Sequence, residues 1–346
     1  MAKKKLRVGV IGCGAIGQRR HLPEYMSNPG VDLVAVTDIK FPRAKKVAEK
    51  FGAPQAFKNY HDMLKLDLDA VSVCTPNYLH AQMTIDALKV GCHVLCEKPM
   101  ATTVKDIRAM NAAATKAGKQ IMIGHNQRLA PAHVRGKEIY KSGELGKAIS
   151  FSTSFAHPGP EGWSIDGADG FFFKKKQAVI GALGDLGVHK IDLVRWLLDD
   201  EVVLATAMTG TLEKKKCTVD DTAYGVFQMQ SGVLGQMFAG WVLKAGESNG
   251  TTICCEKGVI RMFEHPNFSV CVQKSNGENM FIEAGRMQTN EAGGQSDSGV
   301  IAAFVDALAN GRKVPITGVD GGQSVAAILA CVDSARTRKF VRPAKV

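Results

Sequence analysis

Hydrophobic and polar positions along the chain fall into two successive patterns. In the first third, apolar runs of strand length at Leu6 to Ile11, Val31 to Thr37, Ala70 to Cys74, His93 to Cys96 and Gln120 to Ile123 alternate with helical stretches at Pro42 to Phe51, Leu79 to Leu88 and Val104 to Ala117. Short apolar runs bounded by turn residues predict buried strands, and their alternation with helices predicts βαβ units in a parallel sheet covered on both faces. Thr102 and Thr103 precede the last of these helices as capping residues. After about residue 125 the pattern changes. Lys147 to Phe155 is strand-like, 157–183 is rich in glycine and aromatics and predicts a loop, and Leu186 to Leu198 is helical. From Val202 to Phe281 the text alternates between turn signals at Ser231-Gly232, Ser248-Asn249-Gly250 and Ser275-Asn276-Gly277, which predicts successive hairpins and an antiparallel sheet. Ile301, Phe304, Val305 and Leu308 form a helical stripe stopped by Asn310-Gly311, and a last helix is predicted from Gly322 to Thr337. The prediction is an α/β chain: a doubly wound parallel sheet of the nucleotide-binding type over residues 1–125, then an α+β domain with an open, mainly antiparallel sheet over 126–346.

Length and composition agree with that division. The chain has 346 residues, which at about 150 per domain predicts two domains. Apolar residues make up 45% and charged residues 22%, so a disordered or collagen-like chain is excluded. No apolar stretch approaches the roughly 18 residues of a membrane span. The basic start, Met1-Ala2-Lys3-Lys4-Lys5, leads into a glycine turn and not a signal-peptide core, and Arg19-Arg20 precedes no apolar segment, so a cytoplasmic protein without a membrane partner is expected. Lys and Arg total 44 against 33 Asp and Glu, a net charge of +11. Much of the excess lies in runs at Lys3 to Lys5, Lys174 to Lys176 and Lys214 to Lys216, which are far apart and lack interleaved aromatics, so no nucleic-acid partner is expected. The nine cysteines show no zinc-like spacing, and several lie in apolar strand text, which predicts a reduced, metal-free chain.

Four motifs carry chemistry. Gly12-Cys13-Gly14-Ala15-Ile16-Gly17 is a GxGxxG directly after the first strand and at the start of the first helix. Such glycines permit the tight turn, close approach of a pyrophosphate, and close helix–strand packing, with the anion on the helix N-terminus. Asp38 follows Gly17 by 21 residues, at the end of the second strand. A carboxylate there accepts hydrogen bonds from ribose hydroxyls and repels a 2′-phosphate, favouring NAD over NADP, a preference that Lys40 could soften. Cys74-Thr75-Pro76-Asn77, with His80 beyond it, and Glu97-Lys98-Pro99 both lie just past strand ends, where parallel sheets bind ligands. Lys98 could stabilise oxyanion charge or belong to a surface ion pair; Pro99 restricts its backbone and could be cis. Asp185, His189 and Asp192 follow the glycine-rich 181–184 at i, i+4, i+7, on one helix face. Histidine titrates near neutrality and could accept an alcohol proton, although a capping Asp and a satisfied core His would give the same spacing.

Taken together and in order, these motifs resemble the glucose–fructose oxidoreductase / inositol dehydrogenase family (Gfo/Idh/MocA) over nearly the whole chain. The resemblance implies an N-terminal Rossmann domain binding NAD(P) and a C-terminal domain whose open sheet forms dimers or tetramers. It also implies oxidation of a secondary hydroxyl of a sugar, inositol or related polyol. On it, Lys98, Asp185 and His189 are catalytic, with His189 the proton acceptor and Asp185 positioning substrate. Gly12, Gly14, Ala15, Ile16, Gly17, Asp38, Thr75, Asn77, His80, Glu97, Lys98 and Arg128 fall on cofactor positions. Substrate would be held by Lys98, Asn126, Arg128, Asp185, His189 and Asp192, with His157 and Trp163 from the loop His157 to Phe173, whose Asp166 and Asp169 could also grip hydroxyls. Lys174 to Lys176 keep a phosphorylated or acidic sugar open. Two other readings are a redox-neutral NAD-dependent glycosidase acting through a 3-keto intermediate, and a non-enzymatic NAD-sensing regulator.

Overall fold

The computed structural model describes residues 4–285 and 297–346. Lys3 of the first basic run lies outside the described residues. The first elements are β1 (Leu6–Ile11), α1 (Leu22–Ser27), β2 (Val31–Thr37), α2 (Phe41–Phe51), β3 (Gln55–Phe57), α3 (Tyr60–Met63), β4 (Ala70–Val73), α4 (His80–Lys89), β5 (His93–Cys96), α5 (Val104–Ala117) and β6 (Ile121–Ile123). Their strands make one parallel sheet in the order β3-β2-β1-β4-β5-β6, the expected doubly wound arrangement, whose direction reverses between β1 and β4. The apolar runs are buried on both faces (Val8, Val10, Val71, Val73, Val94 and Leu95 are all inaccessible), as strands between two helical layers must be. Local chemistry sets the boundaries. Thr103 caps α5 by accepting from Asp106 N, and Gly118 ends it in a left-handed conformation.

The second set comprises α6 (Pro131–Lys141), β7 (Ala148–Ala156), α7 (Lys175–Ala178), α8 (Val188–Leu198), β8 (Val202–Gly210), β9 (Thr222–Met229), β10 (Leu234–Gly240), β11 (Thr251–Cys255), β12 (Gly258–Met262), β13 (Val270–Lys274) and β14 (Asn279–Ile282). The chain ends with α9 (Val300–Ala309) and α10 (Gly318–Thr337). The eight later strands form a sheet ordered β14-β13-β12-β11-β7-β10-β9-β8, antiparallel except where β10 runs parallel to β7. The expected hairpin at Ser248-Asn249-Gly250 is therefore absent, because β7 lies between β10 and β11 and pairs with both. Hydroxyls fix that insertion: Thr153 Oγ1 lies 2.9 Å from Thr251 Oγ1, and Ser154 Oγ lies 2.7 Å from Ser248 Oγ. The turns at Ser231-Gly232 and Ser275-Asn276-Gly277 do join neighbouring strands. On the inner face, Trp241, Phe173, Leu186, Val219 and Ala239 form a buried cluster. On the outer face, Met208, Tyr224, Val226 and Leu234 are more than half exposed.

The described residues cluster into two compact units, one from 4–125, 162–171 and 297–322, the other from 126–161, 172–285 and 323–346. Thus 162–171, part of the expected loop, and the α9 segment belong with the parallel sheet. Glu24 on α1 holds the latter, accepting from Ser298 N at 2.9 Å and Ser298 Oγ at 2.6 Å. Among the described residues no helix is long and apolar enough to cross a membrane.

Candidate active site

In the first unit the glycine turn follows β1 directly. Gly12 has φ +101°, and a Cβ there would stand 2.5 Å from the Cys74 carbonyl oxygen. A Cβ on Gly17 would stand 2.6 Å from the Gly12 oxygen. Both positions therefore require glycine, one for its backbone angle and both for close approach. Gly14 differs: its missing Cβ would meet nothing within 4 Å. Ala15 and Ile16 lead into a π-helical turn, Gly17–His21, that continues as α1. Asp38 ties the turn together, one oxygen accepting from Cys13 N at 3.1 Å and the other from Lys40 N at 2.8 Å. The Cys13 thiol is buried and lies 3.5 Å from the Thr37 carbonyl.

Beyond β4, Thr75 presents a buried Oγ1 with no hydrogen-bond partner among the described residues. Asn77 opens a short 3-10 turn and is buried. His80 is fully buried, one ring nitrogen 2.8 Å from the Pro99 carbonyl and the other 2.8 Å from the Thr75 carbonyl. It clasps the two strand-end loops together. Burial, outweighing those carbonyls, holds it below the usual imidazole range.

Glu97, at the end of β5, is buried and accepts from His21 Nε2 at 2.9 Å, with Arg20 Nη1 at 3.5 Å. Burial pushes its carboxyl up, but the His21 hydrogen bond and the Arg20 charge outweigh it and bring the pKa down to about 2. The network continues from His21 Nδ1 to Ser72 Oγ at 3.0 Å and on to Tyr25 OH at 2.7 Å. The other Glu97 oxygen accepts from Lys98 N at 3.1 Å, so a fixed carboxylate sets the backbone from which Lys98 projects. The Lys98–Pro99 peptide is cis. Neither Arg20, His21, Ser72 nor Tyr25 was marked by the sequence reading, although an Arg-His pair one turn past the glycines was a usable signal.

In the same unit Trp163 lies over Arg19, whose guanidinium carbon is 4.6 Å from the ring centroid. Asp166, expected to grip substrate hydroxyls, instead accepts from Lys40 Nζ at 2.8 Å and Arg43 Nη2 at 2.9 Å.

In the second unit the glycine-rich segment enters a π-helical turn, Leu183–Gly187, before α8. Its start is capped from a distance, since the Asp220 carboxylate accepts from Gly181 N at 2.8 Å and Leu183 N at 2.7 Å. Asp185 lies on that turn and accepts from the Trp241 indole N–H at 3.2 Å. His189 is buried against Phe155 at 5.8 Å between ring centroids, and His157 packs on the same phenyl ring at 5.9 Å. So the structure brings His157 and His189 to one aromatic side chain. The His157 Nδ1 accepts from Gly159 N at 2.9 Å.

Asn126 and Arg128 belong to a 3-10 turn, Asn126–Leu129. Arg128 donates through Nε and Nη2 to the two oxygens of Asp192, each at 2.6 Å, and Ser324 Oγ adds a third bond at 2.9 Å. Asp192 is only 1% exposed, so its carboxylate is held as an internal counter-ion. Next to it, unmarked by the sequence reading, is Lys190, fully inaccessible, whose Nζ donates to Asn249 O at 3.1 Å and Asn249 Oδ1 at 3.0 Å. Burial pushes Lys190 down to about 7 against the pull of Glu247 and Glu264. The Lys174 to Lys176 side chains are exposed. Among the described residues no cluster of three or more His, Cys, Asp or Glu could hold a metal.

Chemically, the first unit offers a cradle with backbone space at Gly14, an unpaired hydroxyl at Thr75 and a carboxylate at Asp38, which fit a dinucleotide's pyrophosphate and ribose. Comparisons with known proteins match two successive stretches of the chain. The family described as "Oxidoreductase family, NAD-binding Rossmann fold" matches residues 6–125, and "GFO/IDH/MocA C-terminal domain" matches 133–261. The chain is similar to 1,5-anhydro-D-fructose reductase of Ensifer adhaerens, 28% identical with 96% of each chain covered. It is similar to inositol 2-dehydrogenase of Rubrobacter xylanophilus, 30% identical over 75% of this chain and 72% of the other. Among solved structures, GenD2 from gentamicin A biosynthesis, in complex with NAD, superposes with a TM-score of 0.85 at 26% identity, over 98% of this chain and 96% of that one.

Proposed function

The chain belongs to the Gfo/Idh/MocA oxidoreductase family, and on that premise we propose that it is an NAD-dependent dehydrogenase transferring a hydride between a secondary hydroxyl of a sugar, inositol or related polyol and nicotinamide. The observation that carries this reading is the glycine turn, with Gly14 open and its Cys13 N–H fixed by Asp38. Gly12, Gly14, Ala15, Ile16 and Gly17 would hold the pyrophosphate and Asp38 the ribose hydroxyls, with Thr75 Oγ1 as a further donor and Asn77 beside it. Glu97 and His80 act as positioning residues, fixing the loops that carry Lys98 and Thr75. Bound NAD supplies the carbon that accepts the hydride.

The remaining steps belong to side chains. Lys98 presents an ammonium to the hydroxyl oxygen and stabilises it as negative charge develops. His189 takes the hydroxyl proton as the hydride leaves, its ring held in place by Phe155. Asp185 orients the substrate, its carboxylate aimed by the Trp241 indole. Arg128, fixed by Asp192, and Asn126 contribute to binding, with His157 flanking His189 across Phe155. The relatives bear dehydrogenase and reductase names, which weighs against the glycosidase and regulator readings. The exposed Met208, Tyr224, Val226 and Leu234 favour a homo-oligomer, a dimer or tetramer, built on the outer face of the eight-stranded sheet, and we place the protein in the cytoplasm.

The test is absorbance at 340 nm with NAD⁺ or NADP⁺ across sugars, inositols and anhydrosugars. Turnover is expected with at least one, and Lys98→Ala and His189→Ala should each lower kcat by about 10²–10⁴-fold while NAD⁺ still binds. Unchanged rates in both variants, or calorimetry detecting no NAD⁺ uptake, would refute the assignment.

A further inference from the structure

Beside Asp38 lies an open cleft of about 670 Å³ whose walls include Lys40, Arg43, Lys46 and Lys58. Its charge runs against the message of Asp38. A carboxylate after the second strand disfavours a 2′-phosphate, yet the adjoining cleft carries four cations of the kind that would receive one. A 2′-phosphate brings a charge of about −1.5 to −2 near pH 7 and needs charged donors.

What occupies two of those donors is Asp166. One of its oxygens accepts from both Lys40 Nζ, at 2.8 Å, and Arg43 Nη2, at 2.9 Å, while Arg43 Nη1 lies 3.6 Å from Asp38. Arg43 is thus balanced by a carboxylate on each side. The segment carrying Asp166 is anchored on the same unit by Trp163 over Arg19. Ser164 Oγ also accepts from Asp166 N at 3.2 Å. These contacts fix where the charge sits.

We infer that Asp166 is a specificity-determining residue for the dinucleotide: by holding Lys40 and Arg43 it denies them to a 2′-phosphate and adds its own repulsion, so that NAD is taken in preference to NADP. Without it, Lys40 and Arg43 would be drawn to the phosphate, and the charge balance of Lys40, Arg43, Asp38 and Asp166 would move from zero to +1. This inference rests on the NAD reading above.

The experiment is isothermal calorimetry of the full chain with NAD⁺ and with NADP⁺, on the wild type, Asp166→Asn, Asp166→Ala and the charge-conserving Asp166→Glu. Expected is a rise of at least tenfold in NADP⁺ affinity relative to NAD⁺ in either neutral variant, with the ratio kept in Asp166→Glu. Adding Lys40→Met to Asp166→Asn should remove most of the gain. NAD⁺ binding with a ratio that moves less than tenfold in both neutral variants overturns the inference alone. A wild type that takes up neither dinucleotide overturns the NAD reading, and the inference with it.

Discussion

Glu97→Gln isolates the worth of the buried carboxylate beneath Lys98. In the folded chain its pKa is about 2, against an ordinary 4.5. A depressed carboxyl pKa contributes stability that is fully present above about pH 4.5 and is lost as pH falls towards 2. At 1.36 kcal/mol per pH unit the difference is roughly 3 kcal/mol, of which about 2 kcal/mol is gone by pH 3. Glutamine occupies nearly the same volume but cannot balance Arg20, a buried cation 3.5 Å away. Breaking one partner of such a buried pair costs about 3–5 kcal/mol. Urea titrations followed by tryptophan fluorescence at pH 7, 5 and 3 should therefore show the variant less stable by several kcal/mol at pH 7, with the gap to wild type narrowing by about 2 kcal/mol at pH 3. A gap of constant size across those pH values would mean that His21 and Arg20 do not hold this carboxylate charged, and the reasoning would fail.

Two further outcomes follow from other contacts. Lys190 is lowered from 10.5 to about 7, so the unfolded chain takes up a proton between those values that the folded chain does not, and the stability of wild type relative to Lys190→Met should rise with pH through that window. The slope is at most about 1.4 kcal/mol per pH unit; denaturation of Lys190→Met at pH 7 and 9 should lack it, and an identical slope would refute the burial argument. Gly17→Ala forces a methyl to within 2.6 Å of the Gly12 carbonyl, a backbone atom that cannot swing aside. It should lower stability by about 1–3 kcal/mol and NAD⁺ affinity by tenfold or more, and calorimetry showing unchanged binding would count against the cradle.

Much of the parallel sheet was legible because its strands, buried on both faces, appear as continuous apolar runs. β3 and α3 were not, since three or four partly exposed residues give no periodicity. α6 was passed over because its buried side holds His133 and Gly136 in place of an apolar stripe. The misplaced hairpin at Ser248-Asn249-Gly250 shows a different limit: turn chemistry reports that the chain bends, and only tertiary pairing decides which strand it meets. In the site, the glycine turn was readable because backbone angles and close approaches demand glycine. The partners of the functional side chains were not. Arg128 meets Asp192 across 64 residues, Lys190 meets Asn249 across 59, and Asp220 caps Leu183 across 37, separations over which a local pattern carries no trace.

The sulfur at the centre of the glycine turn has a consequence for handling the protein. Burial, reinforced by the neighbouring Asp38 charge, pushes the Cys13 thiol up to about 12. Alkylation and peroxide oxidation both proceed through the thiolate, which at neutral pH is therefore scarce at this position. The cradle carries a cysteine yet should resist iodoacetamide and mild oxidants, and its competence should outlast storage without added reductant.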